Sequence, residues 1–108
     1  MLFLVLSEPR PERPSEVAHH RQAFWAWLAP QQQAGSVRGA WARVPRGMAV
    51  IFDVSGNEVL HTRLTEWAEM IPARFEIYPL IDPAAAQKAL AAGSKHPDGQ
   101  AATGTSSA

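Results

Sequence analysis

The feature that most constrains this fold is a pair of short segments with apolar side chains at nearly every position. Residues 2–6 are followed by Ser7-Glu8-Pro9, and residues 48–54 are followed by Ser55-Gly56. Apolar runs of this length, closed by turn residues, favour β-strands that are buried on both faces. The sheet that contains them therefore needs an apolar partner on each side.

Two longer segments predict helices. Residues 16–33 favour a helix with Ser15 as its N-cap, which Pro30 either ends or kinks before a last turn. A second helix is predicted to begin at a capping box, in which a hydroxyl at Ser55 is followed three residues later by Glu58. It should extend to about residue 67, because apolar side chains recur there at helical spacing.

Two more strands, at residues 37–44 and 74–80, complete the order β-α-β-β-α-β. This is the ferredoxin-like arrangement of the α+β class. A short C-terminal helix should follow, opened by Asp82-Pro83. Residues 1–92 then form one domain, and residues 93–108, whose only apolar side chains are alanines, are expected to form a disordered tail.

The number of helices predicts the oligomeric state. Two helices cover only one face of a four-stranded sheet, yet the first and third strands are apolar on both faces. An uncovered apolar face would exceed the patch that a soluble monomer tolerates. In a chain of 108 residues the simplest cover is a second copy, so the sequence predicts a homodimer.

Composition excludes several partners and cofactors. Ten basic and ten acidic side chains cancel, so the chain lacks the basic field that nucleic acids or anionic membranes require. No apolar run approaches the ~20 residues of a membrane helix, and the apolar start lacks the flanks of a signal peptide. The expected location is the cytoplasm. There are no cysteines, His19 and His20 point apart on a helix, and no phosphate loop or dinucleotide fingerprint occurs, so neither a metal nor a cofactor is expected.

One histidine is placed where it could act as a base. On a helical wheel His20 lies between Phe24 and Trp27, towards the sheet, and histidine exchanges protons near neutral pH. The alternative is a histidine at the edge of the core, bonded to a backbone carbonyl. Arg21 also lies near the buried side, but long side chains reach water by snorkelling.

Aromatic side chains provide candidate walls for a ligand pocket. Phe24 and Trp25 lie on or beside the buried side of the first helix, and Trp41 is expected to point inward, alternating with Val37 and Gly39. Glu76 is a further candidate contact, with the alternative that it pairs with a neighbour on its strand. A structural role is favoured for Asp53, because it ends its strand beside the capping turn.

The sequence resembles the muconolactone isomerase family over roughly residues 1–80. The similarity rests on four segments: Met1-Leu2-Phe3-Leu4-Val5, Gly35-Ser36-Val37-Arg38-Gly39-Ala40-Trp41, Phe52-Asp53-Val54 with Leu60-His61, and Phe75-Glu76-Ile77. The resemblance implies a dimeric α+β barrel with a pocket between sheet and helices. It also implies proton transfer on an unsaturated lactone without metal or cofactor.

Two residues gain a candidate role through this resemblance. Arg38 matches a family position, and as a substrate contact it would clamp a carboxylate in a two-pronged contact; an interface ion pair is the competing interpretation. His61 matches the Leu-His pair, although its helical position predicts a half-exposed flank residue. The uncharged segment 23–30 departs from the family pattern and favours a larger or less polar substrate.

The leading hypothesis is a cofactor-independent isomerase or cyclase that transfers a proton on a small unsaturated lactone, acid or polyketide-like ring. In it His20 is the base, Arg38 stabilises the anionic charge, His61 is a third catalytic candidate, and Trp25 and Trp41 shape the pocket. One alternative is a cofactor-free oxygenase. Another is a non-catalytic ligand-binding or assembly module.

Overall fold

The computed structural model of the protein describes residues 1–11, 13 and 18–93. Its elements, in chain order, are β1 (Leu2–Pro9), α1 (Ala18–Ala34), β2 (Val37–Ala42), β3 (Met48–Asp53), α2 (Asn57–Met70), β4 (Ala73–Leu80) and α3 (Pro83–Gly93). The β-α-β-β-α-β order and the additional C-terminal helix are therefore confirmed. Ser15, the start of the first helix and the tail at 94–108 lie outside the described residues.

The four strands form one antiparallel sheet in the order β2-β3-β1-β4. β1 lies inside the sheet, where Val5 is opposite Val50 of β3 on one side and Ile77 of β4 on the other. This topology confirms an α+β, ferredoxin-like fold. β2 and β4 are the two edge strands.

The two faces of the sheet differ in their cover. Phe3, Val5, Val50 and Phe52 point towards α1 and α2 and are buried. The alternate side chains form what we call the open sheet face: Leu2, Leu4, Leu6, Ile51, Trp41, Tyr78 and Leu80. In the described part of the chain no element buries this face, which leaves Trp41, Tyr78 and Leu80 exposed. The prediction that β1 and β3 are apolar on both faces is confirmed.

The core is built around Trp67 on α2, which is only 1% exposed. Its ring centroid lies 4.9 Å from that of Phe24 on α1, 5.0 Å from Phe75 on β4 and 6.4 Å from Phe52 on β3. α1 and α2 are also joined by a hydrogen bond of 2.9 Å, which Trp27 Nε1 donates to Glu66 Oε1. One indole thus ties both helices to the sheet.

α1 continues through Pro30 to Ala34, so of the two alternatives for this proline the structure excludes an end of the helix there. Two other local predictions differ from the structure. The capping box is wrong, because α2 begins at Asn57 after Gly56, and no side chain caps it by a hydrogen bond. β2 ends at Ala42 rather than at residue 44, since the chain turns away from the sheet there and leaves Val44 almost fully exposed.

Replacing Trp67 by alanine should lower the free energy of unfolding by about 3–5 kcal/mol, because it removes a large buried side chain and leaves a cavity. Urea unfolding followed by circular dichroism measures this loss. Trp25→Ala is the matched control, since it removes the same atoms from a position that is 48% exposed. Equal losses in the two variants would contradict the central role of Trp67.

Candidate functional site

The loop between β2 and β3 is held against the end of β1. Gly47 has a φ of 105°, in the region that favours glycine, and a Cβ at this position would collide with the carbonyl oxygen of Ser7. The backbone N–H of Met48 donates to Ser7 Oγ at 2.9 Å, and the N–H of Arg43 donates to the Gly47 carbonyl at 2.9 Å. The close approach at Gly47 and these bonds fix the loop in one position.

A cavity of about 260 Å³ lies beside this loop, and we call it the arginine cavity. It is enclosed by the end of β1, the β2–β3 loop, the N-terminal half of α1 and the C-terminal end of α2. Its floor is apolar and is formed by Phe24, Met48 and Trp67, all of which are buried. Trp25 and Ile71 extend the apolar lining towards the opening.

The polar groups of the arginine cavity are mainly cationic. Arg21, Arg43 and Arg46 line it, and none of its lining residues in the described chain is a carboxylate. Arg43 Nη1 donates to the Ser7 carbonyl at 2.9 Å, and Arg46 Nη1 donates to the Arg10 carbonyl at 3.1 Å. These bonds orient two guanidinium groups. The cavity therefore places arginine side chains above an apolar floor.

Two of the predicted pocket residues, Phe24 and Trp25, do line the cavity, and Arg21 joins them. His20 does not line it. Its side chain is exposed, with its ring centroid 4.0 Å from that of His19. The prediction that His20 faces the sheet is wrong. His20 and Arg21 lie on opposite sides of the buried stripe of α1, and only one of these sides faces the cavity. The flank that carries Trp27 packs against α2, and the cavity opens on the other flank.

Arg38 lies outside the arginine cavity and forms an ion pair. Its Nε donates to Asp53 Oδ2 at 2.9 Å, and its Nη2 donates to the same oxygen. This hydrogen bond, together with the opposite charge, lowers the pKa of the Asp53 carboxyl below its ordinary value. Arg38 therefore forms an ion pair with a residue of its own chain. This pair differs from both interpretations of the sequence, which were a substrate contact and an ion pair across an interface.

Trp41 is displaced from its predicted position by an irregularity in β2. The register shifts between Val37 and Gly39, so Trp41 pairs with Ala49 on the open sheet face and its ring covers Gly39. Trp41 is 58% exposed. The prediction that it points inward with Val37 is wrong, since one extra residue in a strand changes the face of all that follow.

The other two candidates also lie away from the arginine cavity. Glu76 is exposed on the open sheet face, where its Oε1 accepts a hydrogen bond of 3.2 Å from the Tyr78 hydroxyl. His61 is exposed on α2, beside a groove between that helix and β4. His20, Arg38 and His61 are thus not brought together.

Sequence reasoning missed the residues of the β2–β3 loop that line the cavity. Arg43 and Arg46 flank Pro45 in a turn ended by Gly47, which is a visible basic cluster. That cluster did not indicate a site by itself, because its contact with Ser7 on a distant strand is not encoded in the local pattern. The signal was a concentration of arginine in a turn next to a buried strand.

The described residues contain no group of three or more histidine, aspartate or glutamate side chains that could hold a metal ion. None of the helices in the same residues has the length and apolar character needed to cross a membrane.

Comparison with known proteins gives one family. The model of a family described as a domain of unknown function, DUF3303, matches residues 1–94. No curated protein matches the chain. The matched range includes all seven helices and strands of the described structure, the last of which, α3, ends at Gly93.

The Arg38–Asp53 pair predicts a pH-dependent stability. The pKa of Asp53 is lower in the folded protein than its ordinary value of 3.8. The ionised Asp53 therefore increases the free energy of unfolding above about pH 4. This contribution is lost as the pH falls through the lower pKa that Asp53 has in the folded protein. Asp53→Asn should be less stable than the parent at pH 7, and the difference should shrink below pH 4.

Thermal melts of both proteins from pH 2.5 to pH 7 measure this difference. Glu8→Gln is the control, because Glu8 is exposed and forms no ion pair with the described residues. A stability difference for Asp53→Asn that stays constant across the range would contradict the assignment.

Proposed function

We propose that this chain, which belongs to the DUF3303 family, binds a small organic anion in the arginine cavity. The observation that carries the proposal is the presence of Arg21 and Arg43 above an aromatic floor, in a cavity whose described lining residues include no carboxylate. Guanidinium groups stay charged at all physiological pH values and match the geometry of a carboxylate. Two of them are already oriented by backbone carbonyls.

The shape of the cavity indicates the size of the ligand. Its volume of about 260 Å³ is close to the lower end of small-molecule sites, which span about 300–1,000 Å³. Trp25 lines the cavity and is 48% exposed, so its ring offers a flat apolar surface on which a planar ring can stack. A carboxylate attached to a single ring satisfies both the cationic and the aromatic parts of the lining.

A second candidate is the cofactor-independent isomerase or cyclase chemistry that the sequence suggests through its resemblance to muconolactone isomerase. The three arginines favour it, because cationic groups in a water-poor site stabilise the enolate that proton transfer creates. A base is also required, and the described lining residues include neither a histidine nor a carboxylate. Binding is therefore the function that the geometry supports best. Dependence of turnover on dissolved oxygen would favour the cofactor-free oxygenase instead.

The binding proposal can be tested with benzoate, cyclohexanecarboxylate and the neutral analogue benzamide. Their affinities are measured by calorimetry and by quenching of the fluorescence of Trp25 and Trp67. The acids should bind and benzamide should bind at least tenfold more weakly, as expected for a charge-assisted contact of about 1.4 kcal/mol. Arg21→Gln should weaken the acids similarly, because Arg21 lines the cavity. Arg74→Gln, on exposed β4, is the matched control.

The proposal would be contradicted by equal affinities of the parent protein for benzoate and benzamide. It would also be contradicted if the Arg21→Gln and Arg74→Gln variants bound benzoate with equal affinity. A failure of both acids to bind at millimolar concentration would contradict it as well. Proton NMR of a bound enolisable acid in deuterated water separates the two candidates. Loss of a carbon-bound proton signal would show proton transfer, and an unchanged ligand would leave binding alone.

We further propose that the protein is a homodimer joined through the open sheet face. This face carries leucine, isoleucine, tryptophan and tyrosine side chains from all four strands, together with the charged side chains of Asp53, Arg74 and Glu76. Apolar surface of this extent gains free energy in proportion to the area removed from water, and a two-fold axis lets the same face cover itself. The proposal gives both faces of β1 and β3 an apolar partner.

Sedimentation equilibrium should give twice the chain mass of 11.8 kDa. Leu4→Lys should produce the monomer, because Leu4 lies between Ile51 and Tyr78 in the middle of the face. Val44→Lys is the control, since Val44 is exposed and lies outside the sheet. A parent protein with the mass of one chain would contradict the homodimer.

A further inference from the structure

Ser7 is a polar exception on the helical face of β1. Phe3, Val5 and Ser7 occupy alternate positions of that strand, so their side chains point to the same face, towards α1 and α2. All three are buried, and Ser7 is only 3% exposed. A hydroxyl removed from water costs free energy unless its polar groups find partners. The hydrogen bonds of Ser7 therefore decide whether this position is satisfied.

The oxygen of the Ser7 hydroxyl has a partner, whereas its hydrogen has none among the described residues. Oγ accepts a hydrogen bond of 2.9 Å from the backbone N–H of Met48. A serine hydroxyl also carries a hydrogen to donate, which turns about the Cβ–Oγ bond towards an acceptor. No side-chain or backbone acceptor of the described chain receives it. Ser7 thus holds its oxygen in place and keeps a donor available.

The available donor of Ser7 lies at the arginine cavity. Ser7 lines this cavity, which is on the side of the sheet that its side chain faces. Arginine side chains donate hydrogen bonds and accept none. Since no lining residue of the described chain is a carboxylate, the charged side chains there offer the hydroxyl no acceptor. The acceptor therefore has to come from a molecule inside the cavity.

Arg43 places a second donor beside the same residue. Its Nη1 donates to the Ser7 carbonyl at 2.9 Å, so the guanidinium group is held next to the serine. A guanidinium carries several N–H donors in a planar fork, and this bond leaves others available. The end of the cavity where β1 meets the β2–β3 loop therefore combines a hydroxyl donor with a guanidinium donor.

We infer that Ser7 donates its hydroxyl hydrogen to the carboxylate of the ligand, beside the guanidinium of Arg43, and so determines which end of the ligand enters this part of the cavity. The inference rests on the binding of an organic anion proposed above. A carboxylate has two oxygens that only accept, so one oxygen can take the Ser7 hydrogen and the other an N–H of Arg43. The ring of the ligand then lies towards Trp25 and the opening.

A serine with a purely structural role would behave differently. In that case the hydroxyl serves only as the acceptor that joins Met48 to β1, and Ser7→Ala would loosen the β2–β3 loop. The hydroxyl hydrogen would then make no new bond when a ligand binds. The two roles therefore differ in what happens to the hydroxyl as an acid enters the cavity, and this difference can be measured in the unaltered protein.

The amide proton of Met48 gives this measurement without any substitution. When Ser7 donates its hydrogen to a ligand, its oxygen becomes a stronger acceptor, because linked hydrogen bonds reinforce one another. The Met48 amide proton should therefore move downfield in NMR spectra as cyclohexanecarboxylate is added. This acid has no aromatic ring, so a ring current from the ligand cannot cause the shift.

Three variants measure the contribution of the hydroxyl to affinity by calorimetry. Ser7→Ala should bind cyclohexanecarboxylate at least about tenfold more weakly than the parent, since a hydrogen bond to a charged group is lost. Ser7→Thr keeps a hydroxyl, and strands accept threonine well, so its affinity should remain within about threefold of the parental value. Ser36→Ala is the matched control and should bind like the parent, because the Ser36 hydroxyl donates to the Gln31 carbonyl at 3.3 Å, at the other end of α1.

A Met48 amide proton that does not move downfield while the acid is bound would overturn the inference. Equal affinities of Ser7→Ala and Ser36→Ala would overturn it too, as would a Ser7→Thr variant as weak as Ser7→Ala. Should Ser7→Ala fail to fold, the amide shift of the parent decides. Each of these failures leaves anion binding in place, because the parent still binds the acid. A parent that does not bind it at millimolar concentration would overturn both proposals.

Discussion

The apolar character of β1 and β3 on both of their faces is the constraint on which the rest of this structure depends. Val5 and Val50 face the helices, whereas Leu4 and Ile51 point the other way at neighbouring positions of the same strands. Because successive side chains of a strand point to opposite faces, α1 and α2 cover the apolar side chains on only one face of each strand. The sheet therefore carries an apolar face that the two helices leave uncovered.

The helical side of the sheet links the stability of the protein to its candidate site. Trp67 packs against both helices and the sheet, and the same ring forms part of the floor of the arginine cavity. The roof is the loop that Gly47 and Ser7 hold in place. Since floor and roof belong to the core, the guanidinium groups of Arg43 and Arg46 are held in place by backbone carbonyls. Such pre-orientation reduces the entropy that binding costs.

The distribution of charge matters more here than its sum. The chain has no net charge, yet Arg21, Arg43 and Arg46 meet at one cavity without a carboxylate on its described lining. Arg38, in contrast, is paired with Asp53 on the open side of the sheet. A composition that excludes a broad basic surface is therefore compatible with a small pocket that several arginines line.

The sequence by itself determined the order of the elements and the buried stripes of α1 and α2. Apolar runs defined β1 and β3, a helical spacing of apolar residues placed Phe24, Leu28, Leu64 and Trp67 in the core, and Asp82-Pro83 marked the start of α3. These patterns are local, so they survive without knowledge of the neighbours. The pairing of Glu76 with a neighbour on its strand was also accessible, because two positions along a strand share a face.

Only the tertiary structure decided which side chains meet. The register shift in β2 moved Trp41 to the open sheet face, and the packing of Trp27 against α2 turned the cavity towards Arg21 and away from His20. Periodicity fixes a side chain's direction within its own element, but a shift of one residue or a small rotation of a helix changes its partner. A site formed from a loop and the ends of three other elements therefore has no signature in any single segment.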